Sequence, residues 1–227
     1  MLTLYTAIGT LKFQKCSNGK SLPTVINNDR EYGLSDHELL LWSCLAFQVL
    51  QIHELEDAYE YRLKNSGQKQ ALPFSHYLNR LLLRGIVVKG EGVTGVDALY
   101  RLFGELHIVP VSNTFPIRLF TYIQLRLEGK VHGADIGKYL KKEKYTPMEE
   151  TILRLAGAVP LTTAELVACV DLGKEGLQSK QMLEELYQNP ETTYQTLAED
   201  VQIHHIQYPV LQAIGNLYLN KQISFQR

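Results

Sequence analysis

Between Pro73 and Glu91 the chain reads PFSHYLNRLLLRGIVVKGE, and its polar side chains are of kinds that can read nucleic acid. Asn79 and Arg80 carry forked groups able to make paired hydrogen bonds to the edges of adenine and guanine. Ser75, His76 and Arg84 can share their side of a helix, placed for base edges or phosphate. Lys89, in the glycine-rich run that follows, is read as the tip of a turn that touches the backbone of a duplex. The set expected to contact DNA is therefore Ser75, His76, Asn79, Arg80, Arg84 and Lys89. Each also has an ordinary explanation, because surface arginines and turn lysines are common on solvated faces.

Other constellations are weaker. The pair His204-His205 cannot share an ion without a distant third ligand, since neighbouring side chains diverge, so both are read as exposed turn residues. Gly90-Glu91-Gly92-Val93-Thr94-Gly95 has the literal spacing of a dinucleotide fingerprint, but no βαβ unit surrounds it, and a wing or turn is the better reading. No phosphate-binding P-loop and no nucleophile elbow occurs, and Asp97 and Glu105 stand too far apart for a catalytic pair. The chain is read as a non-enzyme without metal or cofactor.

The elements that must position the polar set are legible around it. Tyr77, Leu78, Leu81 and Leu82 recur at helical spacing and predict a buried stripe on a helix over Pro73–Arg84. Gly85 suits a left-handed cap, and Ile86-Val87-Val88 predicts a short strand. Upstream, Ser35 or Asp36 caps a helix from His37 to about Leu50, with Glu38 placed for a capping box from Ser35. A second helix, His53 to Lys64, has acids near its start, where the macrodipole favours them. Tyr59, Tyr61, Phe74 and Tyr77 are read as core and rim. Residues 3–14 and 21–27 predict strands about a turn at Ser17–Lys20, a hairpin or a dimerisation arm. Thr94–Gly104 predicts a helix and His107–Val111 a strand.

The remainder is mostly helical in pattern. Pro116–Glu128 is read as an amphipathic helix and Lys130–Tyr145 as a short helix running into a charged linker. Met148–Ala156, Thr162–Val170 and Leu177–Tyr187 follow. From Tyr194, Leu197-Ala198-Glu199 and Ile203 fall where a helix-turn-helix places its small and apolar contacts, and Ile223-Ser224-Phe225 predicts a final strand.

Composition narrows the class. Of 227 residues, 45% are hydrophobic and 21% charged, as in ordinary globular chains. The formal net charge is -1, which disfavours a protein that coats nucleic acid. The charge is uneven: residues 115–146 carry seven basic and three acidic side chains, and residues 147–227 carry five and ten. No apolar run is long enough to span a membrane, and the first residues do not read as a signal peptide. Three dispersed cysteines, Cys16, Cys44 and Cys169, fit reduced thiols and a cytoplasmic location.

In element order and turn chemistry, residues 35–92 resemble the winged helix-turn-helix domains of bacterial transcription regulators. The stretch VKGEGVTGVDALYRLFGELHIVPV also resembles a segment of uncharacterised regulator-like proteins of Gram-positive bacteria. The resemblance implies a helix at Pro73–Arg84 laid in the major groove and a wing near Lys89 on phosphate. The expected fold is mainly α with small β elements. A hairpin and winged-helix domain would span residues 1–114, a basic helical link 115–146, and a second helical domain, read as a second winged helix, 147–227. The expected function is a sequence-specific DNA-binding regulator, acting as a homodimer on double-stranded DNA. The alternative is a protein-interaction adaptor whose winged-helix surfaces bind a protein partner without DNA.

Overall fold

A computed structural model describes residues 1–15, 21–69, 71–111, 144–173 and 179–227. The expected turn at Ser17–Lys20 and most of the basic link lie outside the described residues. Among those described, nine helices and three small sheets form the chain. The expectation of a mainly α fold with small β elements holds at that level.

Strand β1 (Leu2–Ala7) and β2 (Thr10–Lys15) divide what the sequence pattern joined into one strand. The break is at Gly9, whose φ of +87° suits glycine, and whose missing Cβ would lie 2.6 Å from the Ile26 carbonyl. The chain thereby changes sheets. β2 pairs antiparallel with β3 (Ser21–Asn27), which pairs with β4 (Arg30–Gly33). The β3–β4 connection, Asn28-Asp29, has positive φ at both residues, the conformation of a tight hairpin turn.

Helices α1 (Asp36–Leu45), α2 (Ile52–Ser66) and α3 (Phe74–Leu83) lead to β5 (Val87–Gly92). Helix α1 ends earlier than its apolar pattern suggests. Phe47 takes a positive φ, and Leu50 leaves the helical path to exchange two main-chain hydrogen bonds with Tyr5, at 2.8 and 3.1 Å. Helix α4 (Gly95–Phe103) follows a Thr94 cap, and β6 (His107–Pro110) comes next. The C-terminal helices are α5 (Pro147–Ala158), α6 (Thr163–Asp171), α7 (Ser179–Leu186), α8 (Tyr194–Val201) and α9 (Gln207–Leu219). The last strand, β7 (Ile223–Gln226), pairs with β6.

Two apolar cores lie on opposite sides of the β1–β5 pair. Successive strand residues face opposite ways, so Leu4, Ile8 and Val88 enter one core while Ala7 and Val87 enter the other. The second core gathers α1, α2 and α3. The first joins α4 and β6 to the C-terminal helices, through residues such as Phe103, Ile108, Ile152, Ile214 and Phe225. Helix α4 and β6 are thus packed with the described C-terminal elements.

The glycines of β5 set the depth of that packing. A Cβ at Gly90 would stand 2.4 Å from the Ala98 carbonyl, and one at Gly92 would stand 2.3 Å from the Ala98 nitrogen. Both approaches involve main chain, so only glycine lets α4 lie this close to the strand. The first two glycines of the dinucleotide-like run thus have a packing cause, and the third, Gly95, stands in open space.

Tyr218 ties the two cores together. Its hydroxyl, on α9, accepts the Phe47 N–H at 3.0 Å and donates to the Ala7 carbonyl at 3.0 Å. It also lies 2.8 Å from the Thr6 hydroxyl, which donates to the Gln48 carbonyl at 2.8 Å. Burial pushes the Tyr218 phenol above its ordinary range, so it stays neutral in this network.

Candidate functional site

Helix α3 is the element that the sequence singles out. Phe74, Tyr77, Leu78 and Leu81 are buried, as the apolar stripe requires. The helix ends in a glycine cap of the expected kind: Gly85 has φ +64°, its N–H donates to Leu82, and the Ile86 N–H donates to Leu81. Ser75, His76 and Asn79 are exposed on the outer face, and Leu83 beside them is 88% exposed. The aromatic cluster behaves as core and rim. Tyr59, Phe74 and Tyr77 are buried against one another, and Tyr61 is exposed.

The two arginines of the expected set pair with Glu38, Arg84 largely covered and Arg80 with half of its side chain exposed. Arg80 Nε lies 3.2 Å and Arg84 Nη1 3.1 Å from the same carboxylate oxygen, and the Glu38 side chain is only 2% exposed. Arg84 also donates to the Gly33 carbonyl and lies over the Tyr32 ring, 5.6 Å from its centroid. Glu38 is meanwhile the N3 residue of the Ser35 capping box. Its other oxygen accepts the Ser35 N–H and hydroxyl, each at 2.9 Å. Burial alone raises this carboxyl, but the Ser35 donors and the two guanidinium groups outweigh it and hold it below its ordinary value. One buried carboxylate therefore closes the start of α1 and anchors the end of α3. The capping role was legible from Ser35 and Glu38; the ion pair was not, since Arg80 and Arg84 are far along the chain.

Lys89 corrects an expectation. It lies within β5 opposite Tyr5, and not at a turn tip; the chain turns later, near Val93-Thr94. The ladder extends to Gly92 because Leu2 and Thr3 continue to pair there. Its ammonium lies 2.7 Å from Glu91, which raises it above the usual lysine range. Of the six residues, then, Ser75, His76 and Asn79 share one open face, Arg80 and Arg84 converge on Glu38, and Lys89 lies on another element.

A second candidate is a cleft of about 670 Å³ between β5, α4 and α8. Two tyrosines bolt its helices reciprocally. Tyr100 of α4 donates to the Ala198 carbonyl at 2.6 Å, and Tyr194 of α8 donates to the Gly104 carbonyl at 3.1 Å. Burial pushes both phenols upward, so neither serves as a proton carrier near neutrality. Lys89, Glu91, Arg101, Glu105 and Glu199 give the rim charges of both signs. The sequence signal for this cleft was slight, because its walls come from distant segments.

The C-terminal expectations divide. Leu197 and Val201 are buried, but Ile203 is 79% exposed and is no apolar turn contact. The turn that carries it follows directly on α8 and runs along the surface. His204 lies between Asp171 at 2.7 Å and Asp200 at 3.5 Å. No metal-binding group of three or more ligands occurs among the described residues, and no helix there is long and apolar enough to cross a membrane. No family model, curated protein or solved structure matches the chain.

Proposed function

We propose that this chain is a protein-interaction adaptor that uses the surfaces of a winged-helix fold as docking sites. The observation that carries the reading is the closure of Arg80 and Arg84 on Glu38. The cations that a duplex would need are already engaged. To draw Arg84 away would weaken a pair whose carboxylate is buried, while Arg80 is half exposed and held through Nε alone. The net charge of the chain is -1. Little electrostatic drive toward phosphate is left, and that drive dominates binding to nucleic acid.

A second reading, a DNA-binding regulator acting as a homodimer, is favoured by the order α1-α2-α3-β5 and by the open face of Ser75, His76 and Asn79. The deciding experiment titrates mixed-sequence duplex at low salt against the protein and against His76→Ala with Asn79→Ala, two exposed changes that leave the core alone. The adaptor reading expects no duplex retention and one stoichiometric protein partner in a cross-linked pull-down. Salt-dependent retention that falls in the double variant would overturn it in favour of DNA.

A further inference from the structure

A cleft of about 430 Å³ lies where the end of α6, the end of α7 and one side of α8 meet. It differs from the cleft at β5 in the sign of its rim. Asp171, Glu191 and Asp200 line it, and among the described residues no lysine or arginine does. His204 stands between Asp171 at 2.7 Å and Asp200 at 3.5 Å. A neutral imidazole there can donate to Asp171, but it leaves the charge of both carboxylates in place. Among the described residues no hydrogen bond or ion pair takes the Glu191 carboxylate; only its main-chain N–H is engaged, by Asn189.

The floor is apolar. Leu186, Leu197 and Val201 form it and are nearly buried, while Leu172, at the end of α6, is 55% exposed. Ile203, which precedes His204 in the chain, is also exposed. Covering apolar surface of this kind is favourable. The charge of the surrounding chain has the same sign as the rim, since residues 147–227 carry ten acidic and five basic side chains.

We infer that this cleft takes a basic, amphipathic segment of a partner protein, with an apolar side chain against Leu172 and Leu197 and a lysine or arginine beside Glu191 and Asp200. This deepens the adaptor reading and rests on it. Two features select the occupant. A rim of one sign repels an acidic segment, and a phosphate backbone equally, while it steers a basic segment inward. A bare cation would answer the carboxylates but leave Leu172 in water, so an apolar side chain belongs to the fit.

The test is a selection of random short peptides displayed on phage, followed by titration of a recovered peptide against the unaltered chain and against Glu191→Gln with Asp200→Asn. Recovered peptides should be net positive, with Lys or Arg near a bulky apolar residue. Their binding should weaken as salt rises. The double variant should weaken it about fivefold and flatten that salt dependence. Leu172→Ser, at a half-exposed position, should weaken it about two- to fivefold. Lys89→Ala, at β5, should leave it unchanged. Should the double variant lose its helical circular dichroism, Glu191→Gln alone, on an exposed residue, carries the same comparison. Recovered peptides that are neutral or acidic overturn the inference, as does recovery of no peptide. Binding indifferent to both the double variant and Leu172→Ser, or lost equally in Lys89→Ala, overturns it too. A protein partner retained equally by the unaltered chain and by the double variant would sink this site and leave the adaptor reading standing. Duplex binding with no protein partner would sink both.

Discussion

Glu38 and Arg84 stand 46 positions apart and meet at 3.1 Å, with the carboxylate almost wholly removed from water. The contact turns a helix cap into a tertiary anchor. It joins the start of α1, the end of α3 and, through the Gly33 carbonyl, the end of β4. It also limits what α3 offers to a partner, because the Arg84 guanidinium is held by Glu38 and Gly33.

Glu38→Ala should destabilise the chain by about 1–3 kcal/mol, since it opens the capping box and removes the acceptor shared by two partly solvated arginines. Glu38→Gln should cost less, because glutamine can still accept the Ser35 N–H in a capping box. Urea unfolding monitored by circular dichroism measures both. Equal losses would show that the cap contributes little.

The same carboxylate sets an acid dependence. Its folded value lies below the ordinary 4.5, so its contribution is present above that value and is lost as pH falls through the folded value. The urea midpoints of the unaltered chain and Glu38→Gln should therefore converge as pH drops below the ordinary carboxylate range. A gap constant from neutral to strongly acidic pH would sink this account.

Arg84→Lys should not rescue Arg84→Ala fully. Arginine reaches Glu38 and the Gly33 carbonyl with two arms of one planar fork, and lysine has one point charge. Thermal melting of the three proteins should rank the native chain first, lysine second and alanine last. A lysine variant as stable as the native chain would refute the bidentate role.

Gly90→Ala should destabilise strongly, by several kcal/mol, because its Cβ meets the α4 main chain at 2.4 Å. Gly95→Ala, at the first turn of α4 with open space around it, should be neutral or stabilising by about 0.5–1 kcal/mol. The contrast, read in paired thermal melts, checks whether helix-to-strand approach or glycine flexibility explains the run.

Tyr218→Phe removes one hydroxyl and leaves the Phe47 N–H without its buried acceptor. A loss of about 1–3 kcal/mol is expected. Because that hydroxyl links α9 to β1 and the α1–α2 connection, hydrogen exchange in the variant should rise at Phe47 and around Thr6. Unchanged protection there would assign the tyrosine a packing role only.

Local patterns carried much of the outcome. The stripe Tyr77-Leu78-Leu81, the caps at Ser35, Thr94, Thr146 and Thr162, and the glycine stop at Gly85 each act within a few residues, so their physics is written in the adjacent sequence. The hairpin turn at Asn28-Asp29 carried such a signal too, in two residues that tolerate positive φ, although β4 was not expected.

What required the tertiary structure was direction and partnership. Periodicity could place Arg80 and Arg84 at the helix surface, but long flexible side chains choose their orientation by what lies near, and Glu38 lies near only once α1 and α3 pack. In the same way Val87-Val88 announced a strand without naming its partner. A strand's hydrogen bonds run to another segment, and β1, some 80 residues earlier, became that segment only after Gly9 sent the chain into a different sheet. The sequence by itself therefore determined the helices, their caps and the three-helix-then-strand order around α3. Only the tertiary structure decided which charges pair inside the fold, because those are interactions between segments that the chain keeps apart.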